Sequence, residues 1–484
     1  MLLSDERKEV MSETKKYLGI DIGTTSIKAA VFAKDGKRLA LRSVDYTLDT
    51  DSVTGFIEFN ADEYVKMCKG IISELVSECG KIDALSVDTQ GETLILTDEQ
   101  GTPLYPAIVW LDNRASIEAE EIKEHFGNKC VYEITGQPEI TAGWPASKIL
   151  WMKNNKPEIF KNVKKIFMLE DYIIYRLSGE FVTEPTIQSS TIYYDIIRGK
   201  WWREMLDFIG ITEDMLPKVV KTATLVGEYS GIKVVSGMLD QIAGTLGAGV
   251  TDKSRISEMT GTIMAICVMT DKLPPFNAES IIPCHLHAID GKYCLILWSS
   301  TAGMALKWFK NNFAESFSFR ELDELAEKVS AGCDGLTMLP YFCGSTMPKY
   351  NPEARAAFSG INLSHTRGHF ARAIMEAIAF TLKQNLEYVG EDAIKEIRIT
   401  GGGASSPLWA NIKADVTGKV LKTLSESETA CLGTALAAAV GIGDFESLKD
   451  AVDSIVKIKN TYEPTGVDYS DAYNSYNKLD KMLN

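Results

Sequence analysis

The sequence predicts an α/β protein made of two similar halves that face each other across a cleft. Three observations predict it. Strand-like and helix-like apolar patterns alternate along the chain. A Gly-Thr hairpin opens the chain at Tyr17–Phe32, and a second of the same design appears at Ile256–Met269. Each half then holds about 235 residues, enough for a core of its own.

Taken in order, Tyr17–Phe32 reads as strand, Gly23-Thr24-Thr25-Ser26 turn and strand. Asp35-Gly36 supplies the next turn, into a third strand around Leu39–Thr47. Ala61–Cys79 carries apolar residues at helical spacing (Tyr64, Met67, Ile71, Ile72, Leu75, Val76), and Ile82–Val87 reads as a strand. Leu94–Leu96 is a further short strand that enters the turn Asp98-Glu99-Gln100-Gly101. The spaced glycines Gly244, Gly247 and Gly249 and the polar Thr251–Arg255 mark a boundary between domains at 16–250 and 251–484. Residues 1–15 read as a polar, frayed or loosely helical extension, and Leu436–Val440 as buried small-residue helix.

Bulk composition excludes several function classes. The 484 residues carry 51 Lys+Arg against 66 Asp+Glu, a net charge of −15, which speaks against nucleic acid and against an anionic membrane surface. A phosphate-bearing small ligand needs only a local positive field and stays open. No apolar run reaches the roughly 18 residues of a spanning helix, and the start has no signal-peptide core. The 9 cysteines are scattered with no C-x-x-C, the pattern of reduced thiols and a cytoplasmic location.

Three segments carry chemistry-bearing residues. The Gly23–Ser26 turn offers backbone N–H groups and three hydroxyls to phosphate oxygens; Lys28 adds charge, and Asp21 could hold a hydrated Mg2+. The same residues suit an ordinary hairpin turn. In Val234–Gly244, a short strand and Ser236-Gly237 lead to Asp240, which opens a helix. Asp240 reads as that helix's N-cap or as a carboxylate able to take a proton from a substrate hydroxyl. In Ile397–Asn411, a strand ends in Gly401-Gly402-Gly403 and a helix begins near Ser406, with Pro407 in its first turn. That loop is either a bare connection or a surface on which a nucleotide lies flat. His285 and His287 share a strand face without a third metal ligand, and Trp201-Trp202 with Tyr193-Tyr194 read as packing.

Together these motifs resemble the FGGY family of carbohydrate kinases, over about residues 16 to 450. Ala356-Ala357-Phe358-Ser359-Gly360-Ile361, seven residues, then His369–Glu376 matches the family's C-terminal signature. Gly143-Trp144-Pro145-Ala146-Ser147-Lys148-Ile149-Leu150-Trp151 approaches the N-terminal one, with Met152 where Leu or Phe is usual. The resemblance implies two duplicated actin/hexokinase-type, ribonuclease H-like domains, the first taking sugar and phosphate and the second the nucleotide. ATP and Mg2+ are the implied cofactors, and Asp240 the catalytic base. It implies Asp21 as the metal-associated carboxylate, and Gln90, Glu92, Trp144, Asp240 and Gln241 as sugar contacts. Thr24, Thr25, Ser26 and Lys28 would meet the phosphates, Gly261 and Thr262 match a second phosphate hairpin, and Gly303 and Lys307 lie where nucleotide contacts occur. Gly402, Gly403, Ser406 and Asn411 match the adenosine region. A homodimer fits the family, whose members are often dimers.

Substrate choice turns on few positions. Gln90-Gly91-Glu92-Thr93 shares Glu92 and Thr93 with the Gln-Arg-Glu-Thr of glycerol kinases, but Gly91 replaces the arginine; xylulokinase-like members show Gln-Met-His-Gly there. Pro106–Arg114 and Leu339-Pro340-Tyr341 look xylulokinase-like, whereas Ser345-Thr346 stand where Glu-Arg is usual. The missing arginine implies room for a longer substrate, a small ketose or polyol and foremost a pentulose such as xylulose. The alternatives are a glycerol- or erythritol-type polyol kinase and, from another class, an actin-fold ATPase chaperone. Gln90, Glu92, Asp112, Asp240 and the signature ending in Glu376 argue against the chaperone.

Overall fold

A computed structural model describes residues 15–279 and 281–483. All but one residue of the polar N-terminal extension lies outside them. Two seven-stranded mixed sheets form the body. The first sheet runs Leu225–Tyr229, Ile232–Val235, Ala84–Thr89, Lys16–Ile22, Ser26–Ala33 and Arg38–Asp45, with Met238–Leu239 extending the pairing along Ala84–Thr89. The second runs Cys284–Leu286, Tyr293–Ser299, Met264–Thr270, Arg255–Thr260, Glu396–Thr400, Val420–Leu424 and Ile458–Tyr462.

The same plan occurs in both. A three-stranded antiparallel meander (Lys16–Ile22, Ser26–Ala33, Arg38–Asp45; Arg255–Thr260, Met264–Thr270, Tyr293–Ser299) pairs through its first strand with a parallel strand. A second parallel strand and an antiparallel edge strand complete it. Sequence and structure agree on the duplicated α/β design. Every strand of the first sheet comes from residues before 240 and every strand of the second from residues after 254.

Local chemistry explains the elements. Asn60 caps the helix Ala61–Cys79 by accepting from the Asp62 N–H at 2.9 Å, and Gly80 at φ +72° ends it. That helix buries Tyr64, Val65, Cys68, Ile71, Ile72 and Leu75 against the first sheet. A smaller five-stranded sheet (Asp49–Thr50, Ile57–Phe59, Ala107–Ile108, Leu94–Thr97, Lys165–Met168) and the helix Pro145–Asn155 widen the N-terminal half.

The halves meet along two helices. Asp240–Gly247 crosses Thr429–Gly441 so closely that a Cβ on Gly247 would lie 1.8 Å from the Thr429 carbonyl oxygen, and one on Gly433 would lie 2.0 Å from that of Ala243. Only glycine allows this approach. Gly247, read from sequence as part of a domain boundary, is thus a helix-crossing residue. The helix Thr429–Gly441, from the C-terminal half, packs on the first sheet, where a Cβ at Gly19 would strike the Cys431 carbonyl at 1.9 Å.

Candidate active site

In parallel sheets, ligands gather beyond the carboxyl ends of the strands. In the first sheet those ends carry acids. Asp21 is the register partner of Asp88 across two parallel strands, and Met238 pairs with Asp88 on its other side. Asp240 follows directly on the strand Met238–Leu239. Three carboxylates from three strand ends therefore lie close enough to act on one another's charge. Burial, then the Asp21 charge, raises both Asp88 and Asp240 well above the ordinary carboxylate range. Burial likewise raises Asp21, with the Lys28 ammonium working against it.

Asp240 does not act as the N-cap. Leu239 holds that position without a side-chain bond, and Asp240 sits in the first turn, its carboxylate accepting from the Gln241 N–H at 2.6 Å. The chain enters the helix straight from a strand, so the cap position falls one residue earlier. No cation neutralises the Asp240 carboxylate among the described residues. It is half-buried, as are Asp21, Glu92 and Gln241. Gln241 turns toward the second sheet and accepts from the Cys267 thiol at 3.9 Å.

Gln90-Gly91-Glu92 lies beside Leu239. Gln90 is 3% exposed, and its amide approaches the Tyr64 hydroxyl without a well-formed hydrogen bond. Glu92 takes φ +58°, an uncommon conformation for a side-chain-bearing residue. Burial raises its carboxyl while the buried Lys148 ammonium opposes the rise. Lys148 donates to the Glu92 and Val109 carbonyls, each at 2.9 Å. Position 91 is buried, and a Cβ there would meet Ser190 Oγ at 3.0 Å and Leu239 Cδ1 at 3.1 Å, a close fit against two side chains.

Around the first turn, Gly23 N–H donates to the Ser26 carbonyl at 3.0 Å, and the Tyr46 hydroxyl donates to the Gly23 carbonyl. Thr24 Oγ1 accepts from Trp110 Nε1 at 3.0 Å, while Thr25 is exposed. Lys28 bonds Glu428 at 2.9 Å, a contact between the halves. Trp144 N-caps the helix Pro145–Asn155, its indole N–H donating to the Glu139 carbonyl at 2.8 Å.

The second sheet repeats the arrangement without the acids. The Gly261 and Thr262 carbonyls accept from the start of the helix Gly303–Phe313: Gly303 N–H at 2.9 Å, Ala302 N–H at 3.0 Å and Met304 N–H at 3.2 Å. Lys307 is exposed one turn on. The three glycines differ in purpose. A Cβ on Gly401 would lie 2.7 Å from the Thr260 carbonyl oxygen and one on Gly403 2.6 Å from Thr260 Cγ2, whereas Gly402 faces open space. Ser406 caps the helix Pro407–Thr417, accepting from the Trp409 N–H at 3.1 Å, and Asn411 is half-buried on that helix.

Other expectations settle as packing. Asp112 is buried in a pair with Arg114 at 2.7 Å, and Glu376 with Arg372 at 2.8 Å. His285 and His287 are core residues whose protonation burial disfavours. Tyr194 packs on Trp201 with ring centroids 5.3 Å apart. All nine cysteines are free thiols, six of them buried. No described helix is long and apolar enough to cross a membrane. Sequence reasoning missed Asp88, whose signal was an acid inside the apolar strand Ala84–Thr89, and Lys148, a lysine amid buried residues of its helix.

The model of the FGGY N-terminal domain of carbohydrate kinases matches residues 16–254, and that of the C-terminal domain matches residues 267–442. The chain belongs to the FGGY family of carbohydrate kinases. This sugar kinase is 30% identical over 484 residues to the gluconokinase of Bacillus subtilis, covering 94% of this chain and 93% of that one. It is 28% identical over 460 residues to the xylulose kinase of Lactococcus lactis, covering 91% of each. Among solved structures, the ligand-bound xylulose kinase of Lactobacillus acidophilus superposes with a TM-score of 0.88 at 25% identity, over 97% of this chain and 98% of that one. The kinase therefore has the two-domain, ribonuclease H-like FGGY fold, and its reaction is ATP-dependent phosphorylation of a sugar.

Proposed function

We propose that this kinase phosphorylates a pentulose, xylulose foremost, with Asp240 as the base. The observation that carries the reading is Asp240 itself: an uncompensated carboxylate at a strand end, raised above its usual range, beside the polar Gln90–Glu92 segment. A carboxylate so raised is a stronger base, and it draws the proton from a substrate hydroxyl as that oxygen attacks the terminal phosphate. Gln90, Glu92, Trp144 and Gln241 hold the sugar in this reading. Thr24, Thr25, Ser26, Lys28, Gly261 and Thr262 hold the phosphates, Gly303 and Lys307 contact the nucleotide, and Gly402, Gly403, Ser406 and Asn411 hold the adenosine. The buried Gln90 amide, which has only a loose approach to the Tyr64 hydroxyl, supports the first group, since such an amide suits a hydroxylated ligand.

The residues fit a magnesium ion. The Asp21 and Asp88 carboxyls interact directly at adjacent strand ends, an acidic pair that a cation would relieve. Among the described residues no group of three or more His, Cys, Asp or Glu forms a metal cage. Asp21 would hold the ion, and when bound it neutralises phosphate charge.

Domain roles follow the sheets: 16–250 for sugar and phosphate, 251–484 for the nucleotide. A cytoplasmic location, supported by the free thiols, and a homodimer complete the reading. Relatives named for xylulose and for gluconate share similar identity. The test is a panel of ketoses, polyols and aldonates with coupled ADP detection. D-Xylulose is expected to give the highest kcat/KM; a preference for gluconate or glycerol would overturn the substrate assignment.

A further inference from the structure

A buried ion pair lies directly beneath the second Gly-Thr turn. Lys413, on the helix Pro407–Thr417, is 2% exposed, and its ammonium bonds Glu258 Oε2 at 2.8 Å and Thr260 Oγ1 at 2.7 Å. The Thr260 hydroxyl in turn donates to Glu258 Oε1. The Trp409 ring closes over the ammonium with its centroid 5.2 Å away. The Thr260 hydroxyl is held from below, and the residue's carbonyl and methyl form the surface on which Gly401 and Gly403 rest.

Thr260 is thus the point where the Gly261-Thr262 turn and the Gly401–Gly403 loop meet, and Lys413 with Glu258 fixes it. We infer that Lys413 and Glu258 are positioning residues that set the register of these two segments toward the nucleotide. This rests on the reading of those segments as the nucleotide site. Stability does not account for the pair. Ion pairs this deep contribute little net stability, and apolar replacements of similar volume are commonly neutral or better. A fixed donor network under a ligand-binding turn instead keeps the backbone in one arrangement, and small displacements in such a frame lower binding and rate strongly.

The experiment compares three proteins by thermal unfolding and by separate KM values for ATP and for the sugar. Removing one partner alone would strand a buried charge, so the test variant is Lys413→Met/Glu258→Leu. Gly402→Leu reports on the site itself, because that position faces open space and tolerates a side chain unless a nucleotide lies there. We expect the double variant to melt within a few degrees of the wild type, with KM for ATP up about tenfold and KM for the sugar within about twofold. Gly402→Leu is expected to weaken ATP as well. An unchanged KM for ATP in the double variant, or an equal rise in both KM values, overturns the inference while leaving the nucleotide site standing if Gly402→Leu weakens ATP. If Gly402→Leu leaves ATP affinity intact, the nucleotide-site reading and this inference fall together.

Discussion

Asp88 accepts a hydrogen bond from the hydroxyl of Thr434, although 346 residues separate them. The bond ties a strand of the first sheet to a helix supplied by the second half, directly under the acidic strand ends. Asp88 also interacts with the Asp21 carboxyl beside it.

Thr434→Val keeps the shape of the side chain and removes this bond, leaving a buried Asp88 oxygen without its hydroxyl donor. A buried acceptor so stranded costs about 1–3 kcal/mol. Denaturant unfolding should show a loss of that size; an unchanged midpoint would mean that water or a rearranged neighbour replaces Thr434 at no cost.

Gly91→Arg tests whether position 91 is open. With Ser190 Oγ at 3.0 Å and Leu239 Cδ1 at 3.1 Å from any Cβ, the arginine must displace packed atoms next to Asp240. Overpacking of this kind costs about 1–3 kcal/mol. We expect lower thermal stability and reduced sugar turnover, with no gain of glycerol phosphorylation. Stable protein with new glycerol activity would show the pocket to be roomier than described.

The pH dependence has a definite sign. Burial raises Asp21 to about 6, so the folded state binds a proton that the unfolded chain has released. That term favours folding at acid pH and is lost as pH rises from the unfolded carboxylate range, about 4, through 6. His285 and His287, pushed down to about 4 and about 3, act oppositely in the same window. Comparing Asp21→Asn with the wild type isolates the first term. The variant should be the more stable protein above pH 6, the difference shrinking toward pH 4, while its activity falls. A difference that grows toward acid pH would contradict the assignment.

Much of this was legible in the sequence because local signals and tertiary outcome coincide. The Gly-Thr turns lie between apolar strands, and Ser406-Pro407 caps and opens its helix as those residue types favour. The rest depended on contacts between distant segments. Asp88 becomes part of the acidic group only because parallel pairing sets it beside Asp21, and Lys413 meets Glu258 across 155 residues. Gly91 shows the same dependence. The absence of a side chain shows in sequence, but the Ser190 and Leu239 side chains that approach the position do not.

The acid at position 240 is the hinge of the account, and replacing it tests that most directly. Asp240→Asn retains an oxygen to accept the Gln241 N–H, so the helix start should survive. With the best sugar of the panel, ADP release should fall by about 10²–10⁴-fold, while ATP affinity by calorimetry stays within about threefold of the wild type. Full turnover by Asp240→Asn would contradict the assignment of the base.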